Sequence, residues 1–334
     1  MQNISIIGAG AWGSALAQAC ALAGRNVTLI CREKITANEI NQTHKNSQFL
    51  GEQILSNNII AASDYNSLEN ADIVLMVVPA QASASVLRSI NIECNIEWLN
   101  DKPIILCAKG LEQKTMFRQS EILINIAPKA IPMVLSGPSF AIDVAKGLPT
   151  AVTLAGKDEA LTKSVAKSLA GASFRPYVRY DIIGVELAGS LKNVYALACG
   201  AVDGAGLGLS ARAALIARSY AEMERLVIKM GGKHATMSGL AGLGDLTLSC
   251  TSPQSRNYWF GQQLGMGKTV KEIETSGAKL AEGVLSAPVA QLLAKKHNIE
   301  MPLIEAVNDL LDNKINIKQL VIDLMKRPLK EEGK

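Results

Sequence analysis

The chain has 334 residues, 48% hydrophobic and 19% charged, with 27 glycines, which describes a globular protein of about two domains and excludes disordered and fibrous classes. A net charge of +4 with dispersed basic residues and only 4% aromatics offers neither a phosphate-tracking groove nor a base-stacking platform, so nucleic acid is not an expected partner. The six cysteines form no CxxC pair and no zinc spacing with the three histidines; reduced thiols and no metal site are expected.

In chain order, apolar runs predict strands at 4–7, 27–31, 73–78, 104–108, 133–136, 151–155 and 174–178, separated by helical stretches. Most are continuous rather than alternating, the pattern of strands covered by helices on both faces, so the expected fold is a Rossmann-type, doubly wound, mainly parallel sheet. Beyond Ile183 the β-branched runs thin out, and the segments 185–202, 213–230 and 284–297 carry apolar residues at helical spacing. An α/β domain over 1–183 followed by an all-helical domain over 184–334 is the predicted organisation. The charged tail 326–334, with Pro328, is expected to fray. No basic region precedes an apolar stretch at the start, and the apolar segment 194–214 is interrupted by Asp203, Arg212 and glycines. Neither a signal peptide nor a membrane span is predicted, which implies a cytoplasmic protein.

Directly after the first strand stands Gly8-Ala9-Gly10-Ala11-Trp12-Gly13, opening a helix that runs to Gly24. Gly8 permits the tight turn, Gly10 lets backbone approach a pyrophosphate, and Gly13 allows close helix–strand contact, while the helix start presents free N–H groups to the anion. With a second strand following, the unit predicts dinucleotide binding. At the end of that strand Arg32 precedes Glu33. A guanidinium there suits a ribose 2′-phosphate or stacks on adenine, so NADPH is expected to be accepted, and NADH as well; a solvated Arg–Glu pair is the other reading. Lys109, at a strand carboxyl end, is placed to meet cofactor or an anionic substrate. The loop 136–141, containing Gly137 and Ser139, presents backbone and hydroxyl donors or is an ordinary turn.

Hydride transfer to a ketone requires a proton source, and His44, His234 and His297 all sit in unpromising surroundings. Lys192 is the only charged residue between Glu186 and Asp203, with Ala188 and Gly189 one turn back leaving room for a ligand. Burial would lower its pKa and fit it for proton transfer; a lysine snorkelling out of a buried helix is the alternative. Further on, Asp245 follows a glycine cluster and stands to orient Lys192 or a substrate hydroxyl, or to cap a helix. Ser255-Arg256-Asn257 sets a fixed cation between two hydrogen-bonding side chains, a phosphate clamp or a surface cation.

Taken together, Gly8-x-Gly10-x-Trp12-Gly13, Ala108-Lys109-Gly110, Leu135 through Ala141, Gly189-Ser190-Leu191-Lys192-Asn193, Gly242-Leu243-Gly244-Asp245, Ser255-Arg256-Asn257 and Ala281-Glu282-Gly283 resemble the bacterial-type NAD(P)-dependent glycerol-3-phosphate dehydrogenases over nearly the whole chain. The resemblance implies reversible reduction of dihydroxyacetone phosphate to sn-glycerol 3-phosphate for phospholipid synthesis, in a cytoplasmic homodimer. It also implies a C-terminal domain like that of 6-phosphogluconate dehydrogenase. By the same resemblance Lys192 is the proton carrier, and Lys109, Gly137, Ser139, Asp245, Ser255, Arg256 and Asn257 contact substrate. Gly8, Gly10, Ala11, Trp12, Gly13, Arg32, Lys109, Ala141, Arg256, Leu280 and Glu282 then line the NAD(P)H site. Two departures touch cofactor contacts: Ala11 stands where members often carry serine or threonine, and Leu280 where valine is common. A β-hydroxyacid or 6-phosphogluconate-type dehydrogenase, and a non-catalytic NAD(P)-binding sensor, are the competing readings.

Overall fold

The computed structural model describes residues 1–277 and 281–325, with side chains through residue 321. Leu280 and the tail 326–334, both singled out above, lie outside the described residues. The chain divides into two compact units, Met1–Ala108 with Phe117–Val185, and Lys109–Met116 with Glu186–Lys334. The second unit is therefore not one continuous stretch, since eight residues from the middle of the α/β region belong to it.

The first unit is built on one eight-stranded sheet in the order β3-β2-β1-β4-β5-β6-β7-β8. Its strands are β1 (Asn3–Ile7), β2 (Asn26–Ile30), β3 (Ile59–Ala62), β4 (Ile73–Met76), β5 (Pro103–Leu106), β6 (Ile131–Ser136), β7 (Thr150–Ala155) and β8 (Phe174–Arg179). All neighbouring pairs are parallel except β6 with β7. Residues of β1, β4 and β5 are almost wholly buried, as strands covered on both faces require. The order reverses at β1, where β2 lies on one side and β4 on the other, and this is the place where open α/β sheets leave a crevice beyond the strand carboxyl ends. Strand β3 was not among the predicted strands: it has four residues, lies at the sheet edge, and leaves Ile60 65% exposed.

The helix Ala11–Leu22 packs with a nearly continuous buried surface, Gly13 through Ala21, because its small residues let it sit close to the sheet and to the helix Ala141–Ala145. The second unit is helical among its described residues, as predicted. Its core is the helix Ile182–Gly204, which begins four residues before the division and is buried along nearly its whole length. By length and composition that helix is apolar enough to cross a membrane, with mean hydropathy 1.3, yet 94% of the apolar window is buried inside the protein, the pattern of a core helix.

Against it lies the helix Arg256–Gly265, and the two approach to backbone contact through glycines. A Cβ at Gly200 would fall 1.9 Å from the Tyr258 carbonyl oxygen, and one at Gly261 2.0 Å from that of Leu197. Larger residues would push the helices apart and carry Asn257 away from Asn193. The helix Pro302–Leu311 is held by Glu222, whose carboxylate accepts the Leu303 and Ile304 backbone N–H groups, both at 3.0 Å, and the Tyr195 hydroxyl at 3.4 Å. Free N–H groups at a buried helix start need such an acceptor.

Candidate active site

The glycine turn follows β1 directly. Gly8 has φ +108°, a Cβ there would lie 2.4 Å from the Val77 carbonyl oxygen, and a Cβ at Gly13 would lie 1.8 Å from that of Gly8. Both positions therefore exclude a side chain. Gly10 is different, because a Cβ there would meet no atom within 4 Å. It stands at the start of the helix Ala11–Leu22, whose N-cap makes no side-chain hydrogen bond, so an open space faces uncapped N–H groups. The buried Trp12 indole N–H lacks a protein partner. An accessible backbone, an uncapped helix start and an unused donor fit the pyrophosphate of a dinucleotide.

Asn46, a residue sequence reasoning passed over, pins this turn. Its fully buried amide donates to the Ala9 carbonyl and to the Ser14 hydroxyl, each at 2.8 Å. Ala11, Trp12 and Ala141 pack against the same core cluster. Gly137, buried with φ +147°, follows β6, and the Ser139 hydroxyl donates to the Gly137 carbonyl at 3.1 Å. Arg32 is 92% exposed on its side chain, and its Nε lies 2.9 Å from Glu33.

The second unit collects the charged chemistry. Lys192 lies deep on the long helix, 9% exposed on its side chain, and donates to Asp245 Oδ1 at 2.7 Å and Ser249 Oγ at 2.6 Å. Asp245, 1% exposed, opens the helix Asp245–Thr251 after a wide π-helical turn at Leu240–Gly244. Its other oxygen, Oδ2, accepts from Lys109 Nζ at 2.6 Å. One buried carboxylate thus serves two ammoniums.

Burial pushes the Lys192 ammonium down to about 8; the Asp245 carboxylate counters part of that fall, and the like charge of Lys109 adds to it. For Asp245, burial pulls its pKa up, but the attraction of the two lysines outweighs burial and holds the carboxyl below its ordinary range. An ammonium has three N–H donors, so Asp245 and Ser249 leave Lys192 one more to offer. A protonated amine that deprotonates near neutral pH, with its remaining donor uncommitted, is equipped for general acid–base work.

A chain of amides runs beside this pair. Asn193 donates to the Lys109 carbonyl at 2.8 Å, Asn257 donates to Asn193 Oδ1 at 2.9 Å, and the Gly283 backbone N–H donates to Asn257 Oδ1 at 2.8 Å. Ser255 caps the helix Arg256–Gly265 by accepting from the Tyr258 N–H, and Arg256 stands exposed at that helix's first position. Glu282 opens the helix Glu282–Lys296. The structure therefore brings Lys109, Lys192 and Asp245 into contact and links Asn257 to them through Asn193, while Ser255 is engaged as a cap. Asn193 and Ser249 were not among the candidates; their signals were adjacency to Lys192 and a position one helical turn after Asp245. Among the described residues, no group of three His, Cys, Asp or Glu side chains is arranged to hold a metal ion.

A dinucleotide turn at the switch point of a doubly wound sheet, together with a helical unit carrying a buried lysine–carboxylate pair, defines a nicotinamide-dependent oxidoreductase. Residues 3–162 match the N-terminal and residues 181–322 the C-terminal region of NAD-dependent glycerol-3-phosphate dehydrogenase. The chain is 45% identical over 328 residues to glycerol-3-phosphate dehydrogenase [NAD(P)+] of Maricaulis maris, covering 98% of this chain and 97% of that one. It is 46% identical over 331 residues to the enzyme of the same name from Parvibaculum lavamentivorans, covering 99% and 98%. The crystal structure of glycerol-3-phosphate dehydrogenase from Coxiella burnetii superposes with a TM-score of 0.90 at 39% identity, covering 98% and 99%. The chain belongs to the NAD-dependent glycerol-3-phosphate dehydrogenase family.

Proposed function

We propose that this oxidoreductase reduces dihydroxyacetone phosphate to sn-glycerol 3-phosphate, reversibly, with NADPH or NADH, and that in the cell it supplies the glycerol backbone of phospholipids. The observation that carries the reading is the buried Lys192 ammonium with its pKa near 8, aligned by Asp245 and Ser249. Gly8, Gly10, Ala11, Trp12 and Gly13 would hold the cofactor pyrophosphate, Arg32 the 2′-phosphate or adenine, and Ala141, Leu280 and Glu282 further parts of the dinucleotide. When bound in reduced form, the nicotinamide supplies a hydride to the ketone carbon. Lys192 gives its proton to the carbonyl oxygen, which becomes the secondary hydroxyl, and the neutral amine regains a proton from water. Asp245 stays ionised throughout, stabilising the ammonium form and aiming it.

Arg256 pairs with the substrate phosphate, since a guanidinium binds a phosphate through two parallel hydrogen bonds. Lys109, Gly137, Ser139, Ser255 and Asn257 complete the contacts, with Lys109 and Arg256 also near cofactor. The domain over 1–183 serves dinucleotide binding and that over 184–334 substrate and proton transfer, in a cytoplasmic homodimer.

The test is nicotinamide oxidation, followed by absorbance, with NADPH and then NADH against dihydroxyacetone phosphate, and the reverse reaction against 6-phosphogluconate and 3-hydroxy acids. Oxidation dependent on dihydroxyacetone phosphate is expected. Turnover with the hydroxy acids alone would replace this reading with the related dehydrogenases. Tight NADPH binding without turnover of any substrate would replace it with a sensor.

A further inference from the structure

The amides of Asn193 and Asn257 stand next to the site without bonding Lys192: Asn193 donates to a backbone carbonyl, and Asn257 ties Asn193 Oδ1 to a backbone N–H. Asn193 is 5% exposed and Asn257 9% exposed, and each donates one hydrogen bond of 2.8 or 2.9 Å. The chain ends at the Gly283 N–H, one residue into the helix Glu282–Lys296. Gly283 cannot be enlarged without disturbing this junction, because a Cβ there would fall 2.5 Å from the Asn193 carbonyl oxygen. At the other end the relay grips the carbonyl of Lys109, whose side chain lies on Asp245 Oδ2, opposite the oxygen that serves Lys192.

The geometry points to Asn193 and Asn257 as positioning residues that hold the Lys109 ammonium on Asp245 and thereby set the proton affinity of Lys192. The titratable groups facing Lys192, among the described residues, are Asp245 and Cys250 on the helix Asp245–Thr251 and Lys109 on the segment 109–116. Of these, Lys109 is the one whose backbone a side-chain amide fixes. A like charge sharing the carboxylate lowers the affinity of Lys192 for its proton, and a Lys109 left free to turn into water releases that influence. The relay adds a positioning task for Asn257 to the substrate contact proposed above, one amide N–H and Oδ1 being engaged within the protein.

This inference rests on Lys192 being the proton donor, and the experiment separates the two. The pH profile of kcat/KM for dihydroxyacetone phosphate reports the free enzyme, and in the direction of reduction the rate falls as Lys192 loses its proton. In Asn193→Ala the basic limb is expected to move to higher pH by about one unit, with a smaller shift in the same direction for Asn257→Ala. Lys109→Met, which removes the charge itself and disturbs no amide, is expected to move the limb the same way even where the asparagine variants fold poorly. A residue that merely supports the fold would lower kcat/KM at every pH and leave the limb in place. An unmoved limb in Lys109→Met, or in folded Asn193→Ala, overturns the inference. If instead Lys192→Ala turns over normally, it is the assignment of the proton donor that fails.

Discussion

Replacing Asp245 by asparagine keeps the shape of the side chain and removes the one charge that two ammoniums share. The carboxylate is 1% exposed, and its partners lie 2.6 and 2.7 Å away with side-chain exposures of 18% for Lys109 and 9% for Lys192. Removing one member of a buried ion pair costs about 3–5 kcal/mol, because the remaining charge is left uncompensated. Lys109 is open enough to turn toward water, which places the loss near the lower end, about 3 kcal/mol. A unit of this size then melts about 6–12 °C lower.

The deficit depends on pH, with a sign fixed by Lys192. Its pKa is already pushed down to about 8 by burial, and losing Asp245 removes the chief influence that holds it up. The bare ammonium therefore sheds its proton at lower pH, and the deficit of the variant shrinks as pH rises from 6.5 toward 9.5. Scanning calorimetry of wild type and Asp245→Asn at several pH values in that window measures both effects. A melting difference under about 2 °C, or one that does not change with pH, would refute the claim that Asp245 carries the buried Lys192 ammonium together with that of Lys109. The kcat/KM profile of the same variant should lose its basic limb to lower pH, opposite to the shift expected for Asn193→Ala.

Gly10→Ala should leave the melting temperature within about 2 °C of wild type, since its Cβ meets no protein atom, yet weaken NADPH about tenfold or more by filling the space before the helix start; fluorescence titration with unchanged affinity would remove the pyrophosphate from that place. Glu222→Ala strands two buried N–H groups and should cost about 2–4 kcal/mol in urea unfolding. Burial raises the Glu222 carboxyl to about 7, above its ordinary 4.5, so its stabilising contribution is full below about pH 4.5 and declines as pH rises through about 7; Glu222→Gln should accordingly gain on wild type across that window. Arg256→Ala, an exposed position, should raise KM for dihydroxyacetone phosphate roughly 10-fold to 100-fold with little change in melting temperature, as expected for a lost charge-assisted hydrogen bond. An unchanged KM would make it scaffold.

Much of the fold is written locally. Strands such as β4 and most of β1 announce themselves because a strand buried on both faces is apolar at nearly every position, and the glycine turn because Gly8 and Gly13 tolerate no side chain. Ile59–Ala62 escapes because an edge strand of four residues with Ile60 exposed carries no period and is defined only by its pairing with β2. The antiparallel turn of β7 against β6 likewise belongs to tertiary pairing.

At the site, Lys192 stands out because a lone charge on an apolar helix needs a reason, and Asp245 offers one. Neither Ser249 nor Asn193 has such a signature, since uncharged polar residues on helices are common and only a fold shows which face the lysine. Nothing in the run around Lys109 tells that residues 109–116 pack with the helical unit. That fact is set by contacts distant in sequence, with Asp245 and Asn193.

Whether Lys192 donates the proton is read from turnover of dihydroxyacetone phosphate by Lys192→Ala beside wild type, with NADPH binding recorded on the same protein. Binding close to wild type is expected, with a rate lower by about 100-fold or more, the scale of a lost general acid. Full turnover in the variant would contradict it.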